Sequence, residues 1–123
     1  MSDTCTLLDE FQVRDLEDNS TITVLVEHHT EIGNRSQPGL MIRYMGYIVN
    51  FEPCHVERWA YQATKAKQDI YFLADHSWAV HADQYVKVSL LLAPKLSARV
   101  EVKVRSKRNP VVKDYELPFT LDL

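Results

Sequence analysis

The chain has 123 residues, of which 46% are hydrophobic and 25% are charged, and its formal net charge is −3. This length suits one domain with a core of its own, so we expect residues 1–123 to form a single domain. The composition excludes an intrinsically disordered chain, and the slight negative charge argues against a general nucleic-acid binder, which is typically basic.

The segment MSDTCTLLDEFQVRD lacks the basic region and the long apolar region of a signal peptide. No apolar run approaches the roughly 18 residues that are needed to span a membrane. Two cysteines, Cys5 and Cys54, allow one disulfide but no disulfide framework. We therefore expect a soluble protein of a reducing, cytoplasmic compartment.

The first part of the chain is rich in strand-forming residues. EFQVRD predicts a short strand. STITVLVEHH and GLMIRYMGYIVNF carry apolar residues on both faces, which is typical of central strands that are covered on both sides. EIGNRSQPG, with its two Gly and one Pro, predicts the loop that joins them.

One segment changes to helical periodicity. The apolar residues of EPCHVERWAYQATKAKQ recur at helical spacing: Val56, Trp59, Ala60, Ala63 and Ala66. Pro53 stands where a proline of the first turn is tolerated. The pattern predicts one amphipathic helix over about residues 54–67. Arg58 and Tyr61 fall off its apolar stripe, so we expect them to form an exposed contact surface.

The second part of the chain returns to strands. DIYFLA, QYVKVSLLLA, ARVEVKVRSK and DYELPFTLDL each predict one, and SKRNP predicts the turn that makes a hairpin of the last two. Pro118 cannot donate a ladder hydrogen bond, which places the last strand at a sheet edge or at a bulge. The predicted fold is mainly β, at the border with α+β: an antiparallel β-sandwich or open barrel of about seven strands with one amphipathic helix.

The stretch ADHSWAVHADQY looks the most chemical, because it holds Asp75, His76, His81 and Asp83. In one extended strand the two imidazoles would point to opposite faces, and in a helix they would lie about 140° apart. Only a sharp turn near Ser77 could gather them. We interpret the stretch as a loop leading into a strand, and we predict no metal or catalytic site there.

EHHTE places Glu27, His29 and Glu31 on one face of a strand, with His28 on the other. Neighbours on that face would lie about 7 Å apart, too far for one ion with bonds of about 2 Å. A solvated strand end is the favoured interpretation.

Cys54 is the one candidate nucleophile with a physical rationale, because it stands at the predicted start of the helix. Its base would have to be brought to it by the fold from one of four histidines: His28, His29, His76 and His81. A thiol packed beneath the helix is the favoured interpretation. His55 and Glu57 diverge by about 200° around a helix and form no site. We predict no catalytic residue, metal or cofactor.

Cationic side chains concentrate on the polar face and tip of the C-terminal hairpin. Seven of the 14 fall between residues 95 and 113: Lys95, Arg99, Lys103, Arg105, Lys107, Arg108 and Lys113. The N-terminal region is acidic by contrast. This asymmetry could steer an anionic partner or let one subunit bind the next, but a solvated face that protects a sheet edge explains it equally.

These features predict a non-enzymatic protein-interaction or assembly module. It would bind a protein partner, or copies of itself, through sheet edges, through the basic hairpin and through the helix face of Arg58 and Tyr61. The first alternative is an anion-binding protein that recognises nucleic acid or an acidic surface with residues 95–113. The second is a small enzyme that depends on Cys54 and a histidine or on a metal. We expect neither a membrane nor a small-molecule partner.

Overall fold

The computed structural model describes residues 5–30, 38–78 and 81–121, with the backbone alone at 78 and at 81–83. Eight strands and one helix follow one another in this part of the chain. They are β1 (Cys5–Arg14), β2 (Thr21–His29), β3 (Gly39–Tyr44), β4 (Tyr47–Phe51), α1 (Pro53–Lys65), β5 (Ile70–Trp78), β6 (His81–Leu91), β7 (Ser97–Lys103) and β8 (Val111–Glu116). The prediction of a mainly β fold with one helix is confirmed.

The strands form two antiparallel sheets of four strands each, in the orders β1-β2-β3-β4 and β5-β6-β7-β8. Helix α1 is the connection between them. Every second side chain of a strand lies on the inner face of its sheet, and the two inner faces pack together in one shared core. Its fully buried members include Val24, Val26, Leu40, Ile42, Val86, Val88, Leu90, Val100 and Val102. The predicted β-sandwich is thus confirmed.

Strand β7 shows the physical reason for this arrangement. Val100 and Val102 are fully buried, whereas Arg99, Glu101 and Lys103 keep partial contact with solvent. Burying one such valine contributes roughly 1.5–3 kcal/mol, so a register slip that exposed this face would cost several times that amount.

GLMIRYMGYIVNF was predicted to be one central strand. This prediction is wrong, because the segment forms a hairpin of two strands. The chain reverses between Tyr44 and Tyr47, which pair across the turn. Met45 and Gly46 have φ values of 49° and 82°, as the two central residues of a type I′ turn require. The reversal makes β4 an edge strand and brings the number of strands to eight.

The last strand is an edge strand, as Pro118 predicts, but its position differs from the prediction. Strand β8 ends at Glu116, so the predicted strand over residues 114–123 is wrong. Proline cannot continue the ladder, and the chain therefore leaves the sheet. Leu117, Phe119 and Leu121 still pack against the core after the strand has ended.

Helix α1 begins at Pro53, with Glu52 as its N-cap residue, and ends at Lys65. The predicted bounds of 54–67 were close. Its buried side chains are those of Val56, Ala60 and Ala63. Ala66, which was expected on the apolar face, is instead the exposed C-cap residue because the helix has already ended.

The two sheets meet along two seams, one between edge strands β1 and β8 and the other between β4 and β5. Polar contacts close the first. The Tyr115 hydroxyl donates a 2.6 Å hydrogen bond to the Asp9 carboxylate, and Lys113 Nζ lies 3.6 Å from the same group. The Lys113 ammonium also lies 4.7 Å from the centre of the Phe11 ring. Inward-pointing charges of this kind protect edge strands from pairing with other chains.

His29 does not lie at a solvated strand end, and that expectation is wrong. The imidazole is only 4% exposed, and neither ring nitrogen has a hydrogen-bond partner among the described residues. The ring packs over Gly39, its neighbour on β3. A Cβ atom at position 39 would lie 2.9 Å from His29 Nε2 and closer still to Cε1. Gly39 is therefore required for close approach of the imidazole.

We expect Gly39→Ala to lower the free energy of unfolding by about 1–3 kcal/mol, because the added methyl group overpacks a buried contact. The measurement is urea denaturation of both chains. In a His29→Ala background the same change should cost much less, since the clashing ring is gone. An equal cost in both backgrounds would contradict the proposed contact.

We expect Tyr115→Phe to cost about 1 kcal/mol at pH 7, because the Asp9 carboxylate loses its donor at a partly solvated site. The hydrogen bond from Tyr115 is the largest cause that holds the pKa of Asp9 below its usual value of 3.8. A lowered native pKa stabilises the fold above the unfolded value, and this contribution disappears as the pH falls through the native value.

The gap in stability between wild type and Tyr115→Phe should therefore narrow once the pH falls below about 3.8. Burial raises the pKa of Tyr115, so its hydroxyl stays a donor across this range. Urea titrations at several pH values measure the gap. If the unfolding free energies of the two chains instead stay the same distance apart as the pH falls below this value, the hydrogen bond from Tyr115 does not lower the pKa of Asp9.

Candidate functional site

The stretch ADHSWAVHADQY is the hairpin between β5 and β6. Strand β5 runs to Trp78, β6 starts at His81, and these two residues pair with each other. The interpretation as a loop leading into one strand is wrong, because strands lie on both sides of the reversal. The side chains of His81 and Asp83 lie outside the described residues. That the imidazoles of His76 and His81 lie apart therefore stays a prediction.

His76 is held by aromatic neighbours at one end of the β4–β5 seam. Its Nδ1 shares a 2.7 Å hydrogen bond with the Tyr44 hydroxyl. Its ring stacks on Tyr47, with the ring centres 3.8 Å apart. Burial raises the pKa of Tyr44 to about 12. The imidazole therefore links the two sheets across the seam.

The EHHTE segment behaves partly as predicted. Glu27 and His29 lie on the outer face of the first sheet, while His28 pairs with the buried Leu40. Glu31 lies outside the described residues. The Glu27 carboxylate accepts a hydrogen bond from Cys5 Sγ at 2.9 Å and forms an ion pair with Arg43. These two donors, the thiol first, hold the pKa of Glu27 below its usual value.

Cys54 does not pack beneath the helix, and the expectation of a buried thiol is wrong. Neither cysteine forms a disulfide, and both side chains are exposed. Within the described residues, the metal-ligating side chains that gather around the thiol are those of Glu52 and His55. The donor atoms of Glu52, Cys54 and His55 all lie within 4.8 Å of one another. None of the other described histidines joins this group.

Glu52 was not predicted as a site residue, because the prediction compared residues only by their angles around a helix. Glu52 precedes the helix and has extended backbone angles, with φ −111° and ψ 152°. Its side chain therefore does not follow the step of about 100° per residue that places His55 and Glu57 about 200° apart. The available signal was an acidic residue directly before Pro53, which marks the first turn.

Lys113 does not share the face of the other basic residues. It pairs with Val100, whose side chain is fully buried, and it faces the β1–β8 seam. Its ammonium lies over Phe11 and near Asp9. The expectation that all seven cations occupy the polar face or the tip is therefore wrong for Lys113, because the register of β8 turns it inward.

Acidic neighbours neutralise much of the remaining cluster. Ion pairs join Lys95 to Glu116 at 2.8 Å, Arg99 to Asp114 at 2.7 Å and Arg105 to Glu17 at 2.6 Å. Lys103 Nζ donates to the Val104 carbonyl oxygen at 2.8 Å. Lys107 and Arg108 are exposed in the β7–β8 loop and form no ion pair within the part of the chain that the structure describes.

The Arg99–Asp114 pair shows the strength of this neutralisation. Two guanidinium nitrogens donate to the two carboxylate oxygens, at 2.7 and 3.0 Å. Such two-point bonds fix both side chains. They lower the pKa of Asp114 and raise the pKa of Arg99. The charge of Arg99 is thus engaged within its own sheet.

The helix face predicted to be exposed is exposed. Arg58 is open to solvent, and 63% of Tyr61 is accessible. The two residues are three apart and lie side by side on the helix. Their role as partner contacts stays a prediction.

The second seam is open and is lined by apolar and polar side chains together. A groove of about 470 Å³ runs between β4 and β5 and reaches helix α1. We call it the seam groove, and its lining includes Ile48, Asn50, His55, Trp59, Tyr71 and Phe72. Ile48 and Phe72 are 55% and 61% exposed. The seam groove therefore presents apolar side chains between two sheet edges.

Aromatic contacts shape the floor of the seam groove. Trp59 stacks over Tyr71, with ring centres 6.5 Å apart, and meets Phe51 edge-on at 5.7 Å. These contacts fix the indole ring that helix α1 contributes. Asn50 lines the same groove, and its Oδ1 atom is buried without a hydrogen-bond partner.

Carboxylates flank this seam in the sequence. Glu52 follows β4, Asp69 precedes β5, and Asp75 lies within β5. None of the three forms an ion pair within residues 5–30, 38–78 and 81–121. The flanks of the seam therefore carry three acidic side chains, one of which, Asp75, lies opposite Lys87 on β6.

Comparison with protein-family models, with curated proteins and with solved structures found no match to this chain. Among the described residues, no helix is long and apolar enough to cross a membrane. Three surface features therefore bear on function: the open seam groove, the partly neutralised hairpin and the donor group at the start of α1.

Under the anion-binding alternative, we expect any binding of polyanions by the C-terminal hairpin to depend only weakly on salt. If only Lys103, Lys107 and Arg108 contact phosphates, log K against log salt should have a slope of about −2 for single-stranded DNA, and seven contacts would give about −5. The measurement is fluorescence anisotropy with labelled oligo-dT at several salt concentrations. The double change Lys107→Gln and Arg108→Gln should abolish binding.

The matched control is Arg99→Gln, which should change this affinity little because Asp114 already binds the guanidinium. A slope near −5 would show that the ion pairs open to bind phosphate. The same conclusion would follow if Arg99→Gln lost as much affinity as the double Lys107 and Arg108 variant.

Proposed function

We propose that this protein is a non-enzymatic interaction module that binds an extended segment of a partner protein in the seam groove. The observation that carries the proposal is the contrast between the two seams. Ion pairing and a hydrogen bond close the β1–β8 seam. The β4–β5 seam instead leaves Ile48 and Phe72 more than half exposed along an open groove.

The backbone of β4 supports strand addition. Strand β4 pairs with β3 alone, so its other edge offers unpaired N–H and C=O groups over Tyr47–Phe51. The facing edge of β5 is interrupted by a register shift between Phe72 and Ala74. An extended segment would therefore add to β4, with its backbone supplying affinity that does not depend on sequence.

The side chains of the groove would supply selectivity. Alternate residues of an added strand point to the same side, so one row would enter the groove over Trp59 and Tyr71. Aromatic residues in such positions account for much of the binding energy in protein interfaces. Ile48 and Phe72 would be covered by the same segment.

Charge selects the class of segment. Glu52, Asp69 and Asp75 form no ion pair within the described part of the chain, although Lys87 lies opposite Asp75 on the next strand. Opposite charge on the partner would speed encounter and disfavour acidic competitors. We therefore expect the segment to be net basic, with apolar side chains at alternating positions.

The anion-binding alternative has a different support, namely the unpaired Lys107 and Arg108 in the β7–β8 loop. Two exposed cations at a loop tip give a smaller electrostatic footprint than seven would. The groove and this loop tip are separate surfaces, so variants can address each one alone.

The test uses peptides selected for binding from a displayed library of random sequences. We expect the selected peptides to be basic and apolar in alternation. The double change Ile48→Glu and Phe72→Glu should weaken their binding at least about tenfold, because it places charge in an apolar contact. Hydrogen exchange on the complex should show new protection in the amides of Tyr47–Phe51.

The control is Val112→Glu, which alters an exposed apolar residue on β8, at the opposite seam. It should leave peptide binding unchanged. Unaltered binding in the Ile48 and Phe72 variant, or new protection on β1 or β8, would refute the proposal. A dimer in light scattering that the groove variant dissociates would make a second copy of this chain the occupant.

A further inference from the structure

We propose that Glu52, Cys54 and His55 form a zinc site at the start of helix α1. The three side chains offer a carboxylate oxygen, a sulfur and an imidazole nitrogen, which are the ligand types that Zn²⁺ binds in proteins. Their donor atoms all lie within 4.8 Å of one another. The site borders the seam groove, because His55 lines that groove, but zinc binding does not require strand addition at β4.

The local fold brings the three donors together before any metal is bound. Glu52 is the N-cap residue, yet its side chain makes no capping hydrogen bond, so the carboxylate is not engaged by the helix. Pro53 fixes the backbone at the first helical position. The thiol of Cys54 is exposed. The His55 ring contacts Trp59 one turn later, with ring centres 5.8 Å apart, which restricts its rotation.

The remaining adjustment is small. Bond lengths of about 2.0–2.3 Å and tetrahedral angles place the donors of a zinc ion about 3.3–3.8 Å apart. The observed limit of 4.8 Å therefore requires a closure of about 1 Å, within the reach of side-chain rotation. Three protein donors leave the fourth position to water.

Charge favours the ion at this place. On binding, the Sγ–H bond of Cys54 breaks, its proton passes to the buffer, and the sulfur electron pair is donated to zinc. The thiolate and the Glu52 carboxylate then balance the two positive charges of the ion. The helix N-terminus opposes a cation with only about half a positive charge.

A second observation comes from the neighbouring strand. Asn50 Oδ1 is a buried acceptor without a partner among the described residues, and Asn50 lines the same groove as His55. A metal-bound imidazole almost always donates its other ring N–H to a carboxylate, a backbone carbonyl or a water, and this bond fixes the orientation of the ring. The amide oxygen of Asn50 would take this role for a zinc-bound His55, directly or through a water, and would then no longer be unpaired.

The experiment titrates the untagged, metal-free protein with ZnCl₂ in competition with a chromophoric chelator. We expect one zinc ion per chain and release of one proton. Cys54→Ser and His55→Ala should each weaken binding at least about tenfold, because even the loss of a residue that only supports a ligand costs that much. With Co²⁺ as the probe, a thiolate charge-transfer band should appear and should be absent in Cys54→Ser.

Cys5→Ser is the matched control, because Cys5 is the chain's other cysteine and is likewise exposed. It should keep both the zinc affinity and the cobalt band. The Ile48→Glu and Phe72→Glu variant should also bind zinc, since it retains all three donors. Absence of binding at micromolar zinc, or equal affinity in wild type and Cys54→Ser, would overturn the proposal. Loss of binding in Cys5→Ser would overturn it as well.

Discussion

Burial of every second side chain between two facing sheets is the constraint on which this structure depends. A strand can give only one of its two faces to the core, and here the inner faces are filled mainly by valine, leucine and isoleucine. The outer faces are then free to carry charge. The backbone N–H and C=O groups of the inner strands are paired within each sheet. Among the described strands, the unpaired ones therefore lie along the outer edges of the four edge strands. The places where the protein can act are set by this arrangement.

The two pairs of edges solve the problem of exposed backbone in opposite ways. Between β1 and β8, Asp9, Tyr115 and Lys113 place hydrogen bonding and charge inside the seam. Between β4 and β5, the polar link of Tyr44 and His76 lies at one end, and the rest is lined by Asn50 and His55 together with aliphatic and aromatic groups. One side of the sandwich is thereby protected, and the other resembles a binding surface.

Local sequence patterns predicted the individual strands and the helix better than they predicted how these elements pair and which way their side chains face. The alternation in β7, the helix and the edge position signalled by Pro118 could all be predicted, because each depends on neighbours in sequence. The turn at Met45 and Gly46 was hidden, since apolar residues continue on both sides of it. The inward face of Lys113 depends on where the β7–β8 loop sets the register. The grouping of Glu52 with the thiol depends on a residue outside the helical repeat.

Every strand pairs only with a strand that adjoins it in the chain, and each sheet is one unbroken stretch of sequence. Hairpin closure within each stretch is therefore cheap in chain entropy, because the loops to be closed are short. The two sheets are joined by a helix of 13 residues and still have to pack on each other to bury the core. We expect local pairing of this kind to favour faster folding than in a sandwich whose neighbouring strands are distant in the chain.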